Sequence, residues 1–409
     1  MKRIKLLTVT CVLALVVLLL VACGGEVTTS ADQSTSTETP AVTTEKPAPT
    51  KLTSLKIGDA DISEYTIVYA QSPYATHVKM AQFRPYMEVY DFDHETAKRV
   101  AALIKELCGV TLSVKVDKST TETEREILVG STNRAQTSEL DIKGLVADEY
   151  IVNQSGTKLL IAGGQYGTTW HAVDYVESLL RDTLANYKTE FAFDSTVNKK
   201  GTHHLVRIGC IGDSITDGIG ASNELLQYTS QLGRYLWKDA IVYDFGSSGA
   251  TMRDDLADTY TKRVPYTEAL RAASTVDIFT IMLGTNDSDR DKSVWNSAKD
   301  LLYINGCKNI MEKMQNHNKD LVFVVANCPA YYDPNGHFGS QHVRELAESM
   351  IPDLNEAGFP TTFYDMYSVT AGHPEWFPDK LHPNDLGHKE MAKAWAVSLQ
   401  EKIDSIQAK

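Results

Sequence analysis

The chain has 409 residues, 43% of them hydrophobic and 23% charged, with a formal net charge of −13. The composition is that of a globular protein, and the length exceeds one ordinary domain, so two folded units plus an amino-terminal addition are expected. The acid excess argues against nucleic acid as a partner, because phosphate is held by Lys and Arg.

In chain order, residues 1–22 read as a secretory signal peptide. "MKRIK" supplies three positive charges, "LLTVTCVLALVVLLLVA" is continuously apolar, and Cys23 follows at once. "LVAC", Leu20 to Cys23, resembles the lipobox of bacterial lipoproteins. That resemblance implies cleavage before Cys23, a lipid on Cys23, and an extracytoplasmic body anchored to the bacterial cell membrane. Residues 23–51 follow as a tether: 14 of the 27 positions from Gly24 to Thr50 are Ser, Thr or Pro and none is aromatic, which leaves too little apolar surface to fold.

Residues 52–200 alternate short strand-like and helix-like patterns, as a smaller α+β domain does. "EYTIVYA" and "REILVGSTN" read as strands, and "DEYIVNQSGTKLLIAGG" as two strands around a Ser-Gly turn. "ETAKRVAALIKELCG" places Ala97, Val100, Ala101, Ile104 and Leu107 on one helical face, and "GTTWHAVDYVESLLRD" reads as a second helix. "EILVGSTNR" and "YIVN…KLLIAGGQYGTTWHAVDYVESLL" resemble the small domain that precedes the catalytic barrel of secreted glycoside hydrolases such as β-hexosaminidases and α-glucuronidases. The resemblance implies an accessory role, with His171 structural.

Residues 203–409 change rhythm. "LVRIGCI", "AIVYDFG", "VDIFTIMLG", "LVFVVANCP" and "TTFYDMY" are separated by longer helical stretches, the pattern of an α/β fold with a doubly wound, parallel, five-stranded sheet. Stripes of Ile304, Cys307, Met311 and Met314, and of Met391, Trp395, Leu399 and Ile403, read as core. Cys108, Cys210, Cys307 and Cys328 lack metal-ligand spacing and stand as thiols or disulfides, with no disulfide framework expected. His203 and His204 adjoin on a strand and so point to opposite faces; no metal and no cofactor is expected.

Doubly wound sheets put chemistry at the carboxyl ends of their strands. The first strand ends in "GDSIT", the second in "GSSGAT", the third in "GTND", and "DKLHP" precedes the last helix. Ser214 is either a nucleophile or a helix cap. As a nucleophile it needs a base, for which His382 is the candidate, and His382 needs an acceptor to fix its tautomer, which Asp379 offers three residues earlier. The Ser214 and Gly249 N–H groups and the Asn286 amide could receive negative charge on an attacked carbonyl oxygen.

Those four segments resemble, in order, the four blocks of the SGNH (GDSL-type) esterase and acylhydrolase family, over residues 203 to 405. The resemblance implies a flavodoxin-like fold, a triad of Ser214, Asp379 and His382, and an oxyanion hole of Ser214, Gly249 and Asn286. One departure is visible: Asp244 stands where the second block usually has asparagine, and is expected to make local turn hydrogen bonds. Asp287 reads as a turn residue and His388 as a solvent-facing helix residue. Asp213, Tyr331, Tyr332, Trp376 and Phe377 are expected to contact substrate. Tethering at the cell surface and the first domain's resemblance favour an acylated poly- or oligosaccharide as substrate. The alternatives are a lysophospholipase or thioesterase acting on lipid, and a non-catalytic glycan-binding module.

Overall fold

The order of apolar runs in the carboxyl-terminal half translates directly into a sheet. The computed structural model describes residues 47–71, 91–290, 295–332 and 340–409. The expected leader, Cys23 and the expected tether up to residue 46 lie outside the described residues, and among those described no helix is long and apolar enough to cross a membrane.

The strands of the amino-terminal half are β1 (Ser54–Ile57), β2 (Ala60–Asp61), β3 (Thr66–Tyr69), β4 (Val114–Val116), β5 (Glu126–Val129), β6 (Glu149–Ser155), β7 (Lys158–Gly163), β8 (Glu190–Phe193) and β9 (Lys199–Thr202). They make a three-stranded sheet, β2-β1-β8, and a six-stranded sheet, β4-β3-β5-β7-β6-β9. The larger sheet is parallel from β4 to β7 and antiparallel where β6 meets β7 and β9. Helices α1 (Phe92–Cys108) and α2 (Tyr166–Ala185) bury Val100, Ile104, Val173 and Leu180 in a cluster with Ile67, Ile127 and Ile161. Asp91 caps α1 by accepting the His94 N–H, and Gly109 ends it at φ +75, a conformation glycine adopts without cost.

The second half contributes β10 (Val206–Gly212), β11 (Ala240–Gly246), β12 (Ile278–Met282), β13 (Val322–Ala326) and β14 (Thr361–Tyr364). All pairings are parallel, in the order β11-β10-β12-β13-β14. Counted along the chain this is 2-1-3-4-5, the flavodoxin-like doubly wound order. Every residue of β12 is buried because helices cover both faces, which is why the run reads as continuously apolar. On one face α4 (Val264–Ala272), α5 (Ser297–Gln315) and α6 (Ser340–Ser349) pack Ala269, Cys307, Met311 and Val343 against Phe279, Ile281 and Phe323. On the other, α3 (Tyr228–Tyr235) and α7 (Asp385–Gln407) pack Leu232, Met391, Trp395 and Ile403 against Ile208, Cys210 and Val324. The architecture is thus α/β, a five-stranded parallel sheet preceded by a smaller α+β region. Cys108, Cys210, Cys307 and Cys328 are free thiols.

Ala48–Lys409 form one compact unit. Where its two halves meet, the Asp148 carboxylate accepts from the Leu205 N–H at 3.1 Å and Arg207 Nη2 at 2.9 Å, and its carbonyl accepts from the His203 N–H at 2.8 Å. The His171 and His203 rings stack at 3.5 Å, and His204 Nδ1 lies 3.6 Å from Asp148 Oδ2, so these histidines tie the halves together. Gly167 opens α2 so close to β11's lead-in that a Cβ there would lie 2.6 Å from the Lys238 carbonyl oxygen.

Candidate active site

In a 2-1-3-4-5 sheet the order reverses between the first strand and the third, which opens a crevice at their carboxyl ends. Here those strands are β10 and β12, with Gly212 in register with Gly246 of β11 and Met282 of β12. The residues that follow, Asp213-Ser214, Ser247 to Gly249 and Leu283 to Asn286, therefore emerge side by side.

Ser214 begins the turn after β10 and is 8% exposed. Its Oγ lies 2.9 Å from His382 Nε2. The Nδ1 atom of His382 is 2.6 Å from Asp379 Oδ2. A carboxylate only accepts, so Nδ1 carries the proton and Nε2 of the neutral ring accepts from the serine hydroxyl. Asp379 Oδ1 also accepts the Leu381 and His382 N–H groups at 3.0 and 2.6 Å. Burial raises the Asp379 pKa, but the His382 backbone and ring N–H groups and the Leu381 N–H outweigh it and hold the carboxyl below its ordinary value. The turn is tight enough to put Lys380 at φ +71, a strained region for a side chain with a Cβ.

The serine and histidine loops are stitched together. Asp385, at the start of α7, accepts from the Ser222 N–H and Oγ, each at 2.7 Å. Gly220 has φ +97 and sits so near the other loop that a Cβ would lie 2.2 Å from the Pro383 carbonyl oxygen. His388 accepts the Tyr228 N–H at Nδ1, 3.2 Å, and donates from Nε2 to the Ile219 carbonyl, also 3.2 Å. It is 0% exposed, which corrects the expectation of a solvent-facing residue: its polar atoms are satisfied by partners on two other segments, so the ring can be buried. Burial lowers its pKa to about 4 and keeps it neutral.

Gly249, at φ +76, turns the loop after β11. Asn286 reaches this loop, donating from Nδ2 to the Ala250 carbonyl at 3.0 Å. Asp287 is 0% exposed and accepts the Met252 and Arg253 N–H groups, each at 2.9 Å, so it braces this loop from inside the protein rather than serving a surface turn. Burial pushes its carboxyl up to about 6. Asp244 accepts the Gly246 N–H at 2.7 Å, the expected local bond, and also the Thr229 hydroxyl at 2.6 Å; burial raises it to about 6 as well.

Three of the residues expected to contact substrate are buried. Asp213 is 1% exposed, accepts the Ile215 N–H at 3.1 Å, and is pushed up to about 6 by burial; it supports the serine turn from below. Trp376 is 9% exposed, its ring stacked on His373 at 3.9 Å, and Phe377 is 2% exposed and packs on Tyr332 at 5.4 Å. Tyr331 and Tyr332 remain half-buried, and the Tyr332 N–H donates to the Lys380 carbonyl at 2.9 Å, bracing that loop. Among the described residues no group of His, Cys, Asp and Glu could hold a metal ion.

Residues 210–390 match the profile of the GDSL-like Lipase/Acylhydrolase family. An acetylxylan esterase of Xylanibacter ruminicola is 38% identical over 214 residues, 48% of this chain and 43% of that protein, so the chain spans less than half the length of this relative. Among solved structures the chain is similar to Est24, a carbohydrate acetylesterase from Sinorhizobium meliloti, at 17% identity over 48% of this chain and 99% of that one, TM-score 0.39. It is similar also to a family two carbohydrate esterase from Clostridium thermocellum in complex with cellohexaose, at 18% identity over 52% and 69% of the two chains, TM-score 0.39. The match and the five-stranded parallel sheet fall on the same stretch: residues 210–390, less than half of the chain, are similar to GDSL-like lipase/acylhydrolase domains.

Proposed function

We propose that the protein is an extracytoplasmic serine esterase, held to the membrane through Cys23, that removes acetyl or similar small acyl groups from a poly- or oligosaccharide. The observation that carries the chemistry is the Ser214–His382–Asp379 chain of contacts at 2.9 and 2.6 Å. The similarity to an acetylxylan esterase favours carbohydrate over lipid as the alcohol.

On this reading Ser214 Oγ attacks the ester carbonyl as His382 Nε2 takes its proton. Asp379 stabilises the imidazolium without being protonated itself. Negative charge on the carbonyl oxygen is met by the Ser214 and Gly249 N–H groups and by Asn286 Nδ2. His382 then protonates the departing sugar oxygen. Water, deprotonated by the same ring, cleaves the acyl-serine to a free acid and restores the hydroxyl. The amino-terminal region is accessory and contributes no reacting group.

Acetate release from acetylated xylan, pectin, sialic acid and peptidoglycan tests the substrate class; activity confined to long-chain lipids rejects it. Ser214→Ala should lower kcat on p-nitrophenyl acetate by on the order of 10⁴-fold or more. Equal rates in variant and wild type would point instead to a binding module.

A further inference from the structure

A polar cleft lies past the carboxyl ends of β13 and β14, the same end of the sheet at which Ser214 follows β10. Strands β13 and β14 run straight into Asn327 and Asp365, and Asn327 Nδ2 donates to Asp365 Oδ1 at 2.7 Å. Asn327 Oδ1 in turn accepts the Tyr367 N–H at 2.8 Å, which fixes the backbone that carries the Tyr367 ring. Helix α6 closes the other side. Its Val343 packs against Gly284, where a Cβ would lie 2.7 Å from Val343 Cγ1, two residues before Asn286. The next residue, Arg344, lays its guanidinium 3.9 Å from the centre of the Tyr367 ring. Between them is a cavity of about 400 Å³, bounded on the α6 side by Gln341, Arg344, Glu345 and Glu348.

The chemistry of the walls narrows the occupant. Arg344 is half-buried, lies over the Tyr367 ring, and its positive charge acts on the Asp365 carboxylate across the cleft. Glu345 and Glu348 are exposed acceptors. Donors beside acceptors suit vicinal hydroxyls, each of which both gives and takes a hydrogen bond. Three carboxylates against one guanidinium disfavour an anionic ligand. The volume falls within the ~300–1,000 Å³ typical of ligand sites.

We propose that this cleft is a subsite for an uncharged sugar unit of the acylated glycan whose ester meets Ser214. The proposal rests on the glycan-esterase reading above, and Arg344 acts in it as a binding and positioning residue.

The test compares the full chain with Arg344→Ala, Arg344→Lys and Glu348→Gln on acetylated xylo-oligosaccharides and on p-nitrophenyl acetate. Arg344→Ala should raise KM for the oligosaccharide by about tenfold, with kcat and all p-nitrophenyl acetate kinetics within about twofold. Arg344→Lys should recover part of the affinity, since it keeps the charge without the planar fork. Glu348→Gln should raise KM in the same direction and serves alone if Arg344→Ala does not fold. An unchanged oligosaccharide KM, or equal losses on both substrates, overturns the subsite while leaving the esterase reading intact. If the wild type cleaves p-nitrophenyl acetate but releases acetate from no oligosaccharide, the glycan reading itself fails and the subsite with it.

Discussion

Gly220 is where the serine and histidine loops touch, and Gly220→Ala tests whether that contact sets catalytic geometry. Its φ of +97 costs an alanine about 1–3 kcal/mol in backbone strain alone. The new Cβ would also lie 2.2 Å from the Pro383 carbonyl oxygen and 3.2 Å from His382 Cβ. Both obstacles are backbone or backbone-adjacent, so one loop has to retreat by about 1 Å, a displacement that costs on the order of 100-fold in rate. The Ser214–His382 separation of 2.9 Å would then open towards 4 Å, outside hydrogen-bond range. The assay is steady-state hydrolysis of p-nitrophenyl acetate beside a thermal melt. Gly358→Ala is the control: its φ is +91 but nothing lies within 4 Å of the added methyl, and it precedes β14 at the opposite edge of the sheet. The control should lose stability and keep its kcat. If Gly220→Ala also keeps kcat within about twofold, the argument that this contact holds the histidine is wrong.

Asp244 offers a test by pH. Burial raises its carboxyl from 3.8 to about 6, so between those values the folded state keeps a proton that the unfolded state releases, and stability falls as pH rises through the window. Asp244→Asn removes that contribution and should flatten urea-unfolding free energy between about pH 4 and pH 6 by on the order of 2–3 kcal/mol. Asp213 and Asp287 leave a slope of the same sign in both proteins, so parallel profiles for variant and wild type would refute the assignment. His388→Ala strands the Tyr228 N–H and the Ile219 carbonyl and should cost about 2–4 kcal/mol, with a fall in kcat because Ile219 adjoins Gly220. His388→Gln, which still offers a donor and an acceptor, should regain part of both; wild-type stability in His388→Ala would remove its bracing role.

The hydrolase strands were legible because burial on both faces writes itself as an uninterrupted apolar run, as in Ile278–Met282. Strands β1, β2, β4, β8 and β9 went unread: at two to four residues they carry no measurable period, and neighbours far along the chain define them. At the site, the residue types at three strand ends and before the last helix singled out Ser214, Gly249, Asn286, Asp379 and His382. The bracing residues were opaque for a common reason. His388 meets Tyr228 and Ile219, and Asp287 meets Met252 and Arg253, across separations that no local pattern encodes. A polar residue in a helix reads as exposed until its distant partner is known.

The junction between the halves has a mechanical consequence. Only three residues separate β9 from β10, and across that step Asp148 gathers three donors while Gly167 abuts the Lys238 backbone. Such a seam has no slack to serve as a hinge. Force or thermal motion arriving through the amino-terminal region therefore reaches the catalytic sheet as whole-body reorientation, with the crevice carried along undeformed.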